Sequence, residues 1–193
     1  MDNELYVTPA PLDKPSWKKV QSSAGRNIIQ LQNGSFAQYG MDNELYVTPA
    51  PLDKPNWKRV PNSAGRDIIQ LKNGSFATYG MDNELYVTPS ISGTPKWTVV
   101  PNSAGREIIQ FKNGSFATYG MDNELYVTPS ISGTPKWTVV PNSAGSGITE
   151  LQDGTIVQFG LDKKIYTSPG PLTVNSKWTQ VPNSGGSGFL EVR

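Results

Sequence analysis

Tryptophan returns at Trp17, Trp57, Trp97, Trp137 and Trp178, at spacings of 40, 40, 40 and 41 residues, and tyrosine keeps the same beat at Tyr6, Tyr46, Tyr86, Tyr126 and Tyr166. The 193-residue chain is one unit repeated five times, and residues 81–100 and 121–140 are identical letter for letter. A unit of about 40 residues cannot bury its apolar face alone, so copies must stack, and that period belongs to β-propellers or helical solenoids. The organisation expected is a single domain, 1–193, with repeats starting at 1, 41, 81, 121 and 161.

The punctuation inside each repeat argues against helix. Asn33-Gly34, Asn73-Gly74 and Asn113-Gly114, with Asp153-Gly154 in the fourth repeat, are flanked by runs such as Ile68-Ile69-Gln70-Leu71 and Ser75-Phe76-Ala77-Thr78-Tyr79. Asn-Gly between two apolar runs predicts a hairpin, with a two-residue type I′ turn that puts both residues at positive φ. A second turn, Gly80-Met81-Asp82-Asn83-Glu84, precedes Leu85-Tyr86-Val87-Thr88, and a Pro-rich loop from Pro89 to Pro95 precedes Trp97-Thr98-Val99-Val100. Four short strands per repeat follow, lettered A (Ile-Ile-Gln-Leu type), B (Ser-Phe-Ala-Thr-Tyr), C (Glu-Leu-Tyr-Val-Thr) and D (Trp-x-x-Val).

Five such units predict an all-β protein, a five-bladed β-propeller, with strand A, apolar on successive residues, as the doubly buried inner strand. A β-trefoil needs three repeats and fits poorly; a β-solenoid is the remaining alternative, although its coils are normally shorter and lack three tight turns each. The chain opens in strand C and ends in strand A (Phe189 to Arg193). One blade must then be closed by pairing of the two termini, or by a second copy supplying the missing strand, which makes a homo-oligomer one of the expected states.

The order of Trp strand, Gly-containing loop, apolar strand, Asn-Gly turn, aromatic strand, Asp/Asn turn and Leu-Tyr strand, as in residues 97–126, resembles the tectonin and tachylectin lectin propellers over essentially the whole chain. It is most similar to the five-bladed tachylectin type. That resemblance implies a propeller that binds glycans, N-acetylated amino sugars among them. One departure is plain: the tachylectin loop carries Trp after its glycines, where this chain has Arg26, Arg66, Arg106, Ser146 and Ser187.

With His 0 and Cys 0, the chain has no Ser-His-Asp triad, no thiol nucleophile, no imidazole or thiolate zinc site and no disulfide framework. Lys+Arg of 17 against Asp+Glu of 16 gives no electrostatic footprint for nucleic acid or an anionic membrane. No run of 18 apolar residues occurs, and Met1-Asp2-Asn3-Glu4-Leu5-Tyr6 carries no basic and apolar leader, so a soluble chain without membrane insertion or export signal is expected. No Gly-rich phosphate loop or calcium loop occurs, and no cofactor or metal is implied.

The D-to-A loops and B-to-C turns leave each blade at one end; the Asn-Gly turns and C-to-D loops leave at the other. The first end repeats almost unchanged and offers amide, hydroxyl, carboxylate and guanidinium groups, the inventory that orients a sugar. Candidate carbohydrate-binding residues are Asn62, Ser63, Arg66, Asn102, Ser103, Arg106, Asn142, Ser143, Asn183 and Ser184 from the loops, with Asp82 and Asn83 from the turn. The tryptophans could be stacking platforms for sugar rings, but a once-per-blade indole on an outer strand is read first as packing between blades, since an indole dominates a core. Asn-Gly-Ser matches a glycosylation acceptor, but the hairpin turn accounts for it. Asp67 and Glu107 give a weak glycosidase pattern, because their counterparts are Asn27, Gly147 and Gly188. The expectation is a non-catalytic, multivalent lectin engaging glycans on cell surfaces or glycoproteins. The alternative is a protein-interaction or structural scaffold that uses the variable loops at the other end.

Overall fold

A computed structural model describes residues 3–8 and 15–186. Among them are eighteen strands and no helix. β1 (Tyr6–Val7) and β2 (Lys18–Lys19) form a two-stranded sheet. Four four-stranded antiparallel sheets follow: β3 to β6 (Gly25–Gln30, Phe36–Gly40, Leu45–Thr48, Lys58–Arg59), β7 to β10 (Gly65–Gln70, Phe76–Gly80, Leu85–Thr88, Thr98–Val99), β11 to β14 (Gly105–Gln110, Phe116–Gly120, Leu125–Thr128, Thr138–Val139) and β15 to β18 (Gly145–Glu150, Thr155–Gly160, Ile165–Pro169, Thr179–Gln180). Each sheet is strands A, B, C and D in chain order, and β1–β2 is a C–D pair. The proposed closing strand, Phe189 to Arg193, lies outside the described residues.

The hairpins form where Asn-Gly predicts them, but the turn differs. Gly34 N–H donates to Leu31 O (2.8 Å), Leu31 N–H donates to Ser35 O (2.8 Å), and Gly34 alone takes positive φ, +84°. This is a type I turn followed by a left-handed residue that forms a bulge, in place of type I′. Asn33 keeps negative φ, and its Oδ1 accepts the Ser35 N–H at 3.0 Å. The B-to-C turn repeats this geometry with asparagine as the left-handed residue: Asn43 has φ +66° and its N–H donates to Gly40 O at 3.0 Å.

Burial also departs from the expectation for strand A. In β8 and β12 every residue is buried, whereas β7 and β11 alternate between buried and half-exposed. Strand A is an edge of its sheet and strand B is not, so B is covered on both edges as well as on its faces. Fully buried Tyr39 in β4 makes a 2.5 Å hydrogen bond between its hydroxyl and Thr78 Oγ1 in β8, and burial pushes its phenol up to about 12. Tyr119 in β12 donates to Gln158 Oε1 in β16 at 3.2 Å. The B-strand tyrosines thus tie one sheet to the next.

The chain divides into two compact units, Met1–Asp82 with Tyr86–Thr98, and Asn83–Leu85 with Val99–Arg193. The core of the first is built on Leu31, Tyr39, Leu45, Val60, Ile68 and Phe76, with Trp97 packed against it. The second uses Phe111, Tyr119, Leu125, Val140 and Ile156, with Trp178 packed against it. Each buried aliphatic or aromatic side chain contributes roughly 1.5–3 kcal/mol.

Candidate functional site

The D-to-A loop is shaped by two residues. Asn62 takes φ +53°, a left-handed conformation that asparagine tolerates. That bend sends Ser63 inward, where it is 2% exposed. Its Oγ accepts the Leu45 N–H at 2.9 Å and lies 2.6 Å from Val60 O and 3.1 Å from Glu44 Oε2, to which it donates. Ser103 and Ser143 repeat the arrangement against Leu85 and Glu84, and against Leu125 and Glu124. Ser184 takes the Ile165 N–H at 3.0 Å and donates to Val181 O, after Asn183 at φ +55°. Serine in this loop is a staple onto the start of strand C.

The B-to-C turn supplies a second construction. Asp122 Oδ1 accepts the Glu124 N–H at 3.1 Å and Oδ2 accepts the Tyr126 hydroxyl at 2.7 Å. Asp42–Tyr46, Asp82–Tyr86 and Asp162–Tyr166 repeat the pair at 2.7–2.9 Å. The glycine opening each turn makes room: a Cβ on Gly80 would stand 2.7 Å from Asp82 Oδ1 and 2.8 Å from the Tyr86 ring. The shared hydrogen bond holds the Asp42 carboxyl below its ordinary value and pushes the Tyr46 phenol up. The Asp162 carboxyl is likewise depressed, first by the Lys164 backbone N–H. At neutral pH Asp42 and Asp162 are therefore charged, and Tyr46 is not.

Loop and turn enclose a cavity with two aromatic walls. In the first unit it measures about 410 Å³ and is lined by Asn62, Ser63, Ala64, Thr78, Gly80, Met81, Asp82, Tyr86 and Trp97. The second unit holds the same cavity twice: about 460 Å³ on Asn102, Ser103, Asp122, Tyr126 and Trp137, and about 440 Å³ on Asn142, Asp162, Tyr166 and Trp178. The floor residue is Thr78, Thr118 or Gln158, and Met81, Met121 or Leu161 lines the site from the exposed tip of the turn. A cavity of about 660 Å³ also opens at the other end in the first unit, among Asn33, Pro49, Lys58, Pro89 and Ile91.

Of the residues expected at a ligand, Asn62, Ser63 and Asp82 line one cavity, Asn102 and Ser103 a second, and Asn142 a third. Arg66, Arg106, Asn83, Ser143, Asn183 and Ser184 line none of the three. Arg106 instead donates to Asn123 Oδ1 and Gly145 O, both at 2.8 Å, with its guanidinium 5.0 Å from the Tyr119 ring centroid. Arg26 likewise donates to Asn43 Oδ1. Asp67 accepts the Asn27 amide, and Glu107 pairs with Arg106 at 3.5 Å.

The sequence reading missed the tyrosines and favoured packing over sugar stacking for the tryptophans. Trp97 and Trp178 do pack on the cores, but they are half-buried and also wall the cavities. The indole N–H groups of Trp57, Trp97, Trp137 and Trp178 are buried with no acceptor among the described residues. The signal available was Asp-x-x-x-Tyr, at 42/46, 82/86, 122/126 and 162/166, in step with Trp. Among the described residues, no group of three His, Cys, Asp or Glu side chains is placed to hold a metal ion.

Solved structures with the same architecture place the fold. The chain is similar to selenomethionine-substituted virginiamycin B lyase from Staphylococcus aureus, with TM-score 0.65, 17% identity, and coverage of 94% of this chain and 64% of that one. It is similar to a putative gluconolactonase, with TM-score 0.66, 11% identity and coverage of 94% and 72%. A third is the WD40 β-propeller domain of Doa1, with TM-score 0.53, 15% identity and coverage of 72% and 49%. The chain thus spans just under two thirds of the lyase and about half of the WD40 chain. No protein-family model and no curated protein matches the sequence. The chain is an all-β protein of the five-bladed propeller class.

The comparison corrects one expectation. A non-catalytic protein was anticipated, yet the structures it resembles include a lyase and a putative gluconolactonase, so this fold carries enzymes. Lack of histidine and cysteine removes particular chemistries and does not remove catalysis as such. At 17% and 11% identity the likeness establishes the fold alone.

Proposed function

We propose that the chain is a multivalent carbohydrate-binding protein of the tachylectin kind, taking neutral glycans in the Trp-Tyr-Asp cavities. The observation that carries this is the recurrence of one constellation in both units: an indole wall, a phenol held by an aspartate, and an asparagine loop. An aromatic face suits the C–H face of a pyranose, and a carboxylate can take about four hydrogen bonds, of which Asp122 receives one backbone N–H and one phenol from the protein. Sugar hydroxyls are donors that fit the remainder.

Charge favours a neutral ligand. The cavities contain an aspartate and no cation, and Arg106 is committed to carbonyl oxygens elsewhere. The apolar Trp, Ala and Met surface suits an N-acetyl methyl group, so N-acetylated amino sugars are the preferred class. Single sites of this open form bind weakly, and several acting on one glycan-coated surface gain a factor of about 10² to 10⁴.

A glycan array with the purified chain, followed by inhibition with free N-acetylglucosamine, tests the reading. Binding to neutral N-acetylated glycans that free sugar abolishes is expected. An array without signal, or signal confined to sialylated and sulfated glycans, overturns it.

A further inference from the structure

The large apolar side chains exposed to solvent include a set at one place in the repeat: Met41, Met81, Met121 and Leu161 are 55–62% exposed. Each follows the glycine that opens the B-to-C turn, and Met81 and Met121 line the first two cavities, where Leu161 stands in the third. A thioether lining a cavity from an exposed turn is a soft, adaptable apolar contact that an oxidant can also reach. The chain has no cysteine, so these thioethers face oxidants with no thiol competing.

We propose that Met41, Met81 and Met121 are peroxide-oxidisable sites, and that their sulfoxides weaken ligand binding at the Met-lined cavities while leaving the Leu161 cavity unchanged. The binding half rests on the glycan reading above. The step balances: the thioether sulfur attacks a peroxide oxygen, the O–O bond breaks, sulfur gains one oxygen and is oxidised by two electrons, and hydrogen peroxide leaves as water. No redox partner beyond the peroxide is required. The product replaces an apolar, flexible side chain at the site with a polar one, and reductive repair returns it. Because the side chains point into solvent and lie outside the cores, oxidation leaves the fold intact.

The purified chain is treated with dilute hydrogen peroxide beside free methionine, and peptides are mapped by mass. Gains of about 16 Da on the peptides holding residues 41, 81 and 121, at rates near that of free methionine, are expected. Melting stays unchanged, and titration with free N-acetylglucosamine shows affinity at the Met-lined cavities falling about two- to tenfold. A Met41→Leu, Met81→Leu, Met121→Leu variant then shows no change on peroxide treatment relative to its own untreated affinity. Methionines that stay unmodified while free methionine is consumed overturn the modification. Complete sulfoxide formation with unaltered sugar titration overturns its effect. If untreated chain binds no sugar, the glycan reading and the binding half fall together, while the peptide map still decides the modification.

Discussion

Tyr126 gives its phenolic hydrogen to Asp122 across 2.7 Å, and a Cβ on Gly120 would come within 2.7 Å of both partners. Turn, carboxylate and aromatic wall therefore form one device, with glycine as its condition. Gly120→Ala is expected to cost about 1–3 kcal/mol, the usual range for overpacking, and to displace Asp122 from the phenol. Tyr126→Phe leaves an exposed carboxylate that water satisfies and should cost no more than about 0.5–1.5 kcal/mol. Urea midpoints of the two variants check the order; equal losses would separate the glycine from the pair.

The same bond fixes a pH window. Hydrogen bonding to Tyr46 lowers the Asp42 carboxyl below its ordinary 3.8, so the stability it contributes is complete above 3.8 and is lost as pH falls through the depressed folded value. Bonding to Asp42 raises the Tyr46 phenol above 10.0, so its contribution is complete below 10.0 and is lost as pH rises through the folded value. Sugar binding should be flat between these limits. Carboxyl carbon shifts followed by NMR should show Asp42 titrating higher in Tyr46→Phe than in the native chain; unchanged titration would mean the phenol is not its main partner.

A steeper alkaline limit comes from the core. Burial raises the Tyr39 phenol from 10.0 to about 12, and the Tyr119 phenol rises further for the same reason. Both stay protonated when folded and ionise more readily when unfolded, so stability is complete below pH 10 and erodes as pH climbs from there toward 12. Tyr39→Phe should be less stable than the native chain at pH 7, since the Thr78 bond is lost, yet lose less on going to pH 11. Thermal melts at the two pH values test this, and parallel losses would show that Tyr39 is not the titrating group.

The repeat and the hairpins were legible because they rest on local or periodic signals: Trp spacing and Asn-Gly. The turn type was not, because Leu31-Gln32-Asn33-Gly34-Ser35 permits either hairpin loop and only the pairing of Gln30 with Phe36 selects one. The staple role of Ser63 was not legible because its partners, the Leu45 N–H and the Glu44 carboxylate, lie 18 and 19 residues earlier. Arg106 reaches Gly145, 39 residues on, which no local pattern announces. Trp97 was read as core since periodicity cannot tell a ring buried on both faces from one with a face on a cavity.

The serine staple gives a stability prediction without a binding one. Ser103→Ala leaves the buried Leu85 N–H without its 2.9 Å acceptor, and an unsatisfied buried donor costs about 1–3 kcal/mol. Ser184 makes the same kind of bond from a half-buried position, where water can substitute, so Ser184→Ala should cost less. Hydrogen exchange at Leu85 should accelerate in the first variant. Sugar affinity measured on the folded fraction should be nearly unchanged, and a selective loss of binding with normal melting would return Ser103 to the ligand.

Trp97 separates packing from recognition most sharply, because its indole N–H has no acceptor among the described residues while its ring touches both core and cavity. Trp97→Phe keeps a ring on the core and breaks no hydrogen bond, so its stability loss should be well below the roughly 3–5 kcal/mol expected when a large aromatic is cut to alanine. The smaller ring still stacks on a pyranose, though over less area, and sugar affinity should fall a few-fold. Trp97→Ala should lose both, melting lower and binding nothing at that cavity. Making the two substitutions at Trp137, in the second unit, should reproduce the pattern, since the cavity there is built from the same residue types. A phenylalanine variant that melts as low as the alanine variant would show that the indole is held by packing its full width, and that the cavity wall is a by-product of the core.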